Sequence, residues 1–429
     1  MRRDEAEHLV RRTGFGVDQV LVEALLPLGR SAAVDVVTDF SPNPPADAPA
    51  GIFDEQQTRW AQTKRLGAWW MERMRTVPRP LEEKLVLYWH GHFATNVDTH
   101  KYGWQAWEAH RVMRAGCMGN FGDLARQVSL SSAMLLYLDN YRNKAGRPNE
   151  NFARELFELH LLGPGGHYTE ADVTESARAW TGHHLDAEHR NYRFQPTQHD
   201  NGFKTIFGVT RNWDGPEVIG EAVAGRRREA SARYVVARLW SFFGYPDPEP
   251  SLVEELAAAY SDANQDLAVL VRAILNRPEF YSDRARGALV RSPVEVTAAL
   301  TKGGGISADE SQVYRWAAAM GQDLFRPPDP SGWSSQAAWI STVGTWMRAD
   351  FARQLAWRIF DGGTMAAVHQ MGPDAAVDLL ADRFSLGVPS SQTRRAMEDC
   401  WRQGAQAHDF HRFRNAVVLT ALSPEMQLG

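Results

Sequence analysis

Cysteine is nearly absent from this chain of 429 residues, which has two, Cys117 and Cys400, far apart in sequence. A disulfide scaffold and a CxxC zinc site are therefore excluded, and a reducing compartment fits best. Long apolar runs are missing too. No window approaches the roughly 18 uninterrupted apolar residues of a membrane span. The start, Met1-Arg2-Arg3-Asp4-Glu5, has no apolar stretch behind its basic pair and does not read as a signal peptide. The expectation is a soluble, cytoplasmic protein. Neither charge dominates: the formal net charge of -5 leaves no footprint for nucleic acid or an anionic membrane. Several motif classes are also lacking. There is no Gly-x-x-x-x-Gly-Lys-Ser/Thr loop, no Gly-x-Gly-x-x-Gly after a strand, no His-Glu-x-x-His and no Gly-x-Ser-x-Gly elbow.

What remains is ample apolar material, 44% of residues with 15 Trp, patterned mostly at helical period. The spacing predicts helices near 4–12, 16–26, 30–39, 54–75, 81–93, 101–117, 120–139, 151–162 and 170–181, then near 228–242, 251–261, 265–276 and 292–301. A Pro-rich linker, Ser41-Pro42-Asn43-Pro44-Pro45, interrupts the series. Helical period fails over 185–213. There Tyr192–Gln195 alternates and Lys204–Gly208 is rich in strand formers, with Asn201-Gly202 between them. A small β-hairpin or ordered loop near 190–210 is expected. The fold class is thus mainly α. Gly303-Gly304-Gly305 reads as a flexible break dividing a core lobe, 1–302, from a C-terminal helical lobe, 303–429.

Ten of the fourteen histidines fall between His90 and His199, about a quarter of the chain. His90 and His92 flank Gly91. On a straight helix they diverge by about 200°, but at a helix end both rings can face one ion. Either they are two metal ligands, or one is a buried, hydrogen-bonded histidine beside a surface one. Glu155 and Glu158 share a helix face, with Arg154 close by. They are either metal ligands or members of a buried Glu–Arg network that organises the fold. His160 points away from that face. Thr169 and Asp172 fit a capping box, Glu175 and Arg178 a surface pair, and His183-His184 lies just past a helix end at Gly182. His199 beside Asp200, with Lys204 nearby, is a candidate acid, base or ligand; the alternative is an Asx turn over Asp200-Asn201-Gly202.

The segments His8-Leu9-Val10-Arg11-Arg12-Thr13-Gly14-Phe15-Gly16, Trp89-His90-Gly91-His92-Phe93 and Asn149–Gly163 resemble a large bacterial family known as domain of unknown function 1800 (DUF1800). Tyr168–Val173, Ala177-Arg178, Thr181-Gly182, His199-Asp200, Lys204, Pro328–Trp333 and Ser423-Pro424-Glu425 continue the resemblance over nearly the whole chain. It implies no settled reaction or cofactor. It does imply that His90, His92, Asn151, Arg154, Glu155, Glu158, His160 and His199 belong to the family signature. It also implies a possible partner, since many members look exported and are encoded beside a phosphatase/sulfatase-like protein.

Residues and resemblance together predict a metal-dependent enzyme, hydrolytic or oxidative, with zinc, iron or manganese. His90, His92, Glu155 and Glu158 are the expected ligands, His199 the acid/base group or a further ligand, and Arg154 the group that orients a carboxylate or anionic substrate. The alternative is a non-catalytic assembly or interaction protein whose polar cluster is a satisfied internal network.

Overall fold

Helices begin where the chain offers a cap. In the computed structural model, Asp18 accepts from the backbone N–H groups of Val20 and Leu21, Thr58 from Ala61, and Ser131 from Met134. Thr169/Asp172 and Ser292/Glu295 form reciprocal capping boxes. The structure describes residues 1–40, 48–307, 312–334, 336–404 and 408–429. The Pro-rich stretch Ser41–Pro45 lies outside them.

Among the described residues the fold is mainly α, with 22 α-helices and two small antiparallel two-stranded sheets. Among the described residues, no helix is long and apolar enough to cross a membrane. Most helices fall where the apolar period puts them, with local differences. The helix expected from 54 starts at Arg59, behind its Thr58 cap. The stretch 120–139 is two helices, Phe121–Ser129 and Ser132–Tyr137, because Ser131 caps a new start. The helix over 151–162 changes character, from an α-turn at Glu150–Glu155 to a π-helix at Leu156–Leu161. A helix at Gly215–Val223 was not expected at all.

The irregular region holds two hairpins rather than one. Strands β1 (His183–Leu185) and β2 (Tyr192–Phe194) pair with His183 opposite Phe194. Strands β3 (Lys204–Ile206) and β4 (Val209–Arg211) pair around Phe207-Gly208. Both turn residues have positive φ (50° and 79°), as a two-residue type I′ turn requires. Asn201-Gly202 is not a hairpin turn; it lies between the two hairpins.

Two apolar clusters build the core. One gathers buried side chains from Ala6 through Phe325, the other from Val296 through Met426. They meet on the helix Pro293–Gly304, which turns Val294 and Ala298 to the first and Val296, Ala299 and Leu300 to the second. Gly303 and Gly304 close this helix and Gly305 caps it, so the glycine triplet expected to be a flexible break is a helix end.

Candidate metal centre

The last turn of the helix Pro80–His92 carries both histidines of the first candidate pair, and both are buried. His90 Nε2 accepts the Phe325 N–H at 3.1 Å, and the rings of Phe325 and Trp333 pack on it at 4.7 and 5.2 Å. The loop carrying Trp333 reaches this close because residue 332 is glycine; a Cβ there would stand 2.5 Å from the Gly91 carbonyl oxygen. His92 Nε2–H donates to the His160 carbonyl and His160 Nδ1–H donates to the His92 carbonyl, each at 2.9 Å. This reciprocal clasp satisfies carbonyls that two helix ends would otherwise leave without partners. Burial pushes His90 down to about 3 and His160 to about 4, the latter despite its hydrogen bond, and holds His92 well below its ordinary value.

Glu155 and Glu158 are half-buried, on the α-to-π transition. Burial, then the charges of Glu158 and Asp329, raise the Glu155 carboxyl above its usual range against the pull of Arg154. Arg154 turns away from both. It donates to Glu170 at 2.7 and 2.8 Å and to Glu150 at 3.4 Å. The buried Glu–Arg network lies elsewhere, at Glu83. Its carboxylate accepts from Arg114 Nη1, Arg73 Nε and Trp70 Nε1, each at 2.9 Å.

Among the described residues, one group of three histidine, cysteine or carboxylate side chains brings a ligand atom from each within 4.8 Å of the others. It consists of His183, His199 and Asp214. His183, on β1, donates through Nε2–H to Asp214 Oδ1 at 2.8 Å and accepts the Tyr192 hydroxyl at Nδ1 at 3.0 Å. Tyr192 itself is pushed up to about 12 by burial and by the Asp214 charge. His199 Nδ1–H donates to the Thr181 carbonyl at 2.7 Å, which leaves Nε2 as the acceptor nitrogen. Burial pushes the Asp214 carboxyl up, but the hydrogen bond and charge of His183 outweigh it and hold the group below its ordinary value. The Asp214 side chain is 44% exposed, so the group is open to solvent on that side.

The surrounding chain locks this arrangement. Gly182, at φ 79°, lets the His199 segment approach; a Cβ would lie 2.9 Å from the Gln195 carbonyl oxygen and 3.0 Å from His199 Cβ. Asn140 donates to the carbonyls of Trp180 and His183. Asp200 accepts from Thr181's neighbour in the network, Arg178, at 2.8 Å, and from the Gly202 N–H, which makes the Asx turn. Buried Lys204 donates to Asn212 Oδ1 and to the Trp213 carbonyl, fixing the backbone just before Asp214.

The profile of a family described as a protein of unknown function, DUF1800, matches residues 8–428. The chain belongs to the DUF1800 family. No curated protein and no solved structure matches it.

Of the site residues read from the sequence of this DUF1800 chain, His199 is in the three-residue group. His90, His92, Glu155 and Glu158 are not. Asp200 does not orient His199; it serves Arg178, and the Thr181 carbonyl does the orienting. Asp214 was missed. Its signal was the helix start Asp214-Gly215-Pro216-Glu217, a capping box with proline in the first turn, confirmed by the Asp214 N–H donating to Glu217 at 3.0 Å.

Proposed function

We propose that this DUF1800 protein is a metal-dependent enzyme, hydrolytic or oxidative, whose single divalent ion is held by His183, His199 and Asp214. The observation that carries the reading is the convergence of three ligand atoms within 4.8 Å, with the Nε2 of His199 left free by its Thr181 bond. Two histidines and one carboxylate leave coordination positions open, the pattern of catalytic rather than structural sites. Ligands about 2.1 Å from one ion stand roughly 3.0 Å apart at right angles and roughly 4.2 Å when opposite, so small side-chain shifts would suffice, with His183 in its other tautomer, Nδ1–H donating to the Tyr192 oxygen and Nε2 free for the ion. This donor set accepts zinc, iron or manganese, and such an ion supplies Lewis acidity toward a substrate oxygen. The chain's own groups do the positioning: Tyr192 and the Thr181 carbonyl orient the two rings, and Lys204 anchors the strand that delivers Asp214.

A second reading rests on a specific observation. The His183–Asp214 contact is already a closed hydrogen bond at 2.8 Å, which is what a satisfied structural network needs. Metal analysis of the purified protein, with titration of the chelator-treated form by Zn²⁺, Mn²⁺ and Fe²⁺, separates the two. One tightly held ion per chain, lost in folded His199→Ala and Asp214→Ala, is expected. A folded wild type that takes up none of these ions saturably overturns the metal reading in favour of the non-catalytic one.

A further inference from the structure

A second feature owes nothing to the metal group. A cavity of about 560 Å³ is bordered by Arg11, Arg12, Lys84, Arg238 and Arg291, and against these five cations it sets two carboxylates, Asp247 and Glu295. Gly429 borders it too, and a carboxylate there would still leave the cations in excess. Among the described residues only Lys84 of the five is ion-paired, to Glu295. Arg12 and Arg291 are buried and donate to backbone carbonyls instead: Arg12 to Gly244 at 3.0 Å and to Ala285, Arg291 to Phe15 at 2.6 Å and to Met426 at 3.2 Å. The Nε of Arg12 is buried with no hydrogen-bond partner. Arg238 lies over the Tyr234 ring, 5.8 Å from its centroid, and among the described residues it has no carboxylate partner.

Buried guanidinium groups without counterions are costly unless an anion joins them. Burial lowers Arg12 to about 9 and Arg291 to about 10, and Lys84 and Arg291 together hold the lone buried carboxyl, Glu295, down at about 2 although burial opposes them. The rest of the wall is apolar or aromatic, including Leu87, Tyr88, Phe242, Trp333 and Trp339. His92 also borders the cavity, and its Nδ1 is an acceptor with no protein partner.

We propose that this cavity binds a small organic anion, a phosphate or carboxylate head on an apolar body of aromatic size. The forked donor of Arg238 suits either head group, and Arg12 and Arg291, whose terminal N–H groups are engaged with backbone carbonyls, add positive charge behind it. The volume suits a small molecule, and the aromatic wall takes its body. The ligand completes a counterion set that the chain leaves short.

The test is a titration of the full chain with phenyl phosphate and, separately, phenylacetate, followed by calorimetry and by tryptophan fluorescence, which Trp333 and Trp339 report. Inorganic phosphate measures the head alone, and benzyl alcohol the apolar body alone. At least one aromatic anion is expected to saturate with Kd at or below about 1 mM. Its affinity should weaken with added salt and fall about tenfold or more in Arg238→Ala. Whichever anion binds more tightly identifies the head group. Arg238 is half-buried and engages no backbone carbonyl, so its variant folds even if Arg12→Gln does not; Trp333→Ala tests the wall independently. The proposal is overturned if neither aromatic anion saturates by about 10 mM, if benzyl alcohol binds as well as they do, or if folded Arg238→Ala and Trp333→Ala both bind like the wild type.

Discussion

The histidines ending the helix Pro80–His92 and those beside Asp214 are the same residue type in opposite settings. His90, His92 and His160 are sealed in the core, answer to backbone groups, and are held neutral by burial. His183 and His199 converge on a carboxylate that is 44% exposed, whereas the nitrogens left over on His90, His92 and His160 are buried without a partner. An imidazole becomes a candidate ligand or acid/base group through what its second nitrogen meets, not through how many histidines surround it. The first group is closed within the core; the second is the group proposed to hold the ion.

The largest expected effect belongs to the buried Glu83–Arg114 pair on the helix that ends in His90 and His92. Glu83→Ala takes the two-point acceptor from the buried Arg114 guanidinium, leaving it only Glu82 at 3.2 Å, strands Trp70 Nε1, and should cost about 3–5 kcal/mol in denaturant unfolding. His92→Ala removes a packed ring and strands the His160 carbonyl, and is expected to cost about 2–4 kcal/mol. Asp214→Ala should cost about 1 kcal/mol, mainly from the lost cap of the helix Gly215–Val223, because its partly exposed pair with His183 is screened by solvent. Equal losses at His92 and Asp214 would erase the distinction between the two regions.

Acid should separate them along the pH axis. His90, His100 and His160 are depressed to about 3, 3 and 4 by burial. The unfolded chain takes up their protons first, near pH 6.5, so stability falls as pH drops from about 6.5 toward 4, by up to about 1.4 kcal/mol per pH unit for each histidine. Asp214 is depressed as a carboxylate, so its contribution is intact above its unfolded value near 3.8 and is lost only below it. Melts at stepped pH, repeated on His90→Gln, should show a shallower slope between pH 6.5 and 4 in the variant. An unchanged slope would count against a neutral, buried His90. The smallest effect is expected at Tyr192→Phe, which removes the hydroxyl behind His183 and should weaken metal affinity by about tenfold with little change in stability.

Much of the fold was legible locally. Apolar period and caps located most helices, and the Thr169–Asp172 box, the Glu175–Arg178 pair and the Asp200 turn are as the residue types predict. That Phe325 and Trp333 both pack on the His90 imidazole is not a local pattern. The candidate site was half legible. His199 stood out because a histidine in an irregular segment has few structural duties to explain it. Asp214 did not, since its sequence signal is that of an ordinary helix cap.

By itself, then, the sequence determined which segments are helical, where the period breaks, that no cysteine framework exists, and which polar residues need an explanation. Those are properties of neighbours a few residues apart, set by backbone propensity and side-chain period. Only the tertiary structure decided which histidines are sealed in the core and which meet a carboxylate. His183 and Asp214 are 31 residues apart, and His92 and His160 are 68. Chain folding brings each pair together through contacts that no local pattern encodes: the close approach at Gly182, the buried Lys204 anchor, and the π-helical turn that aims His160.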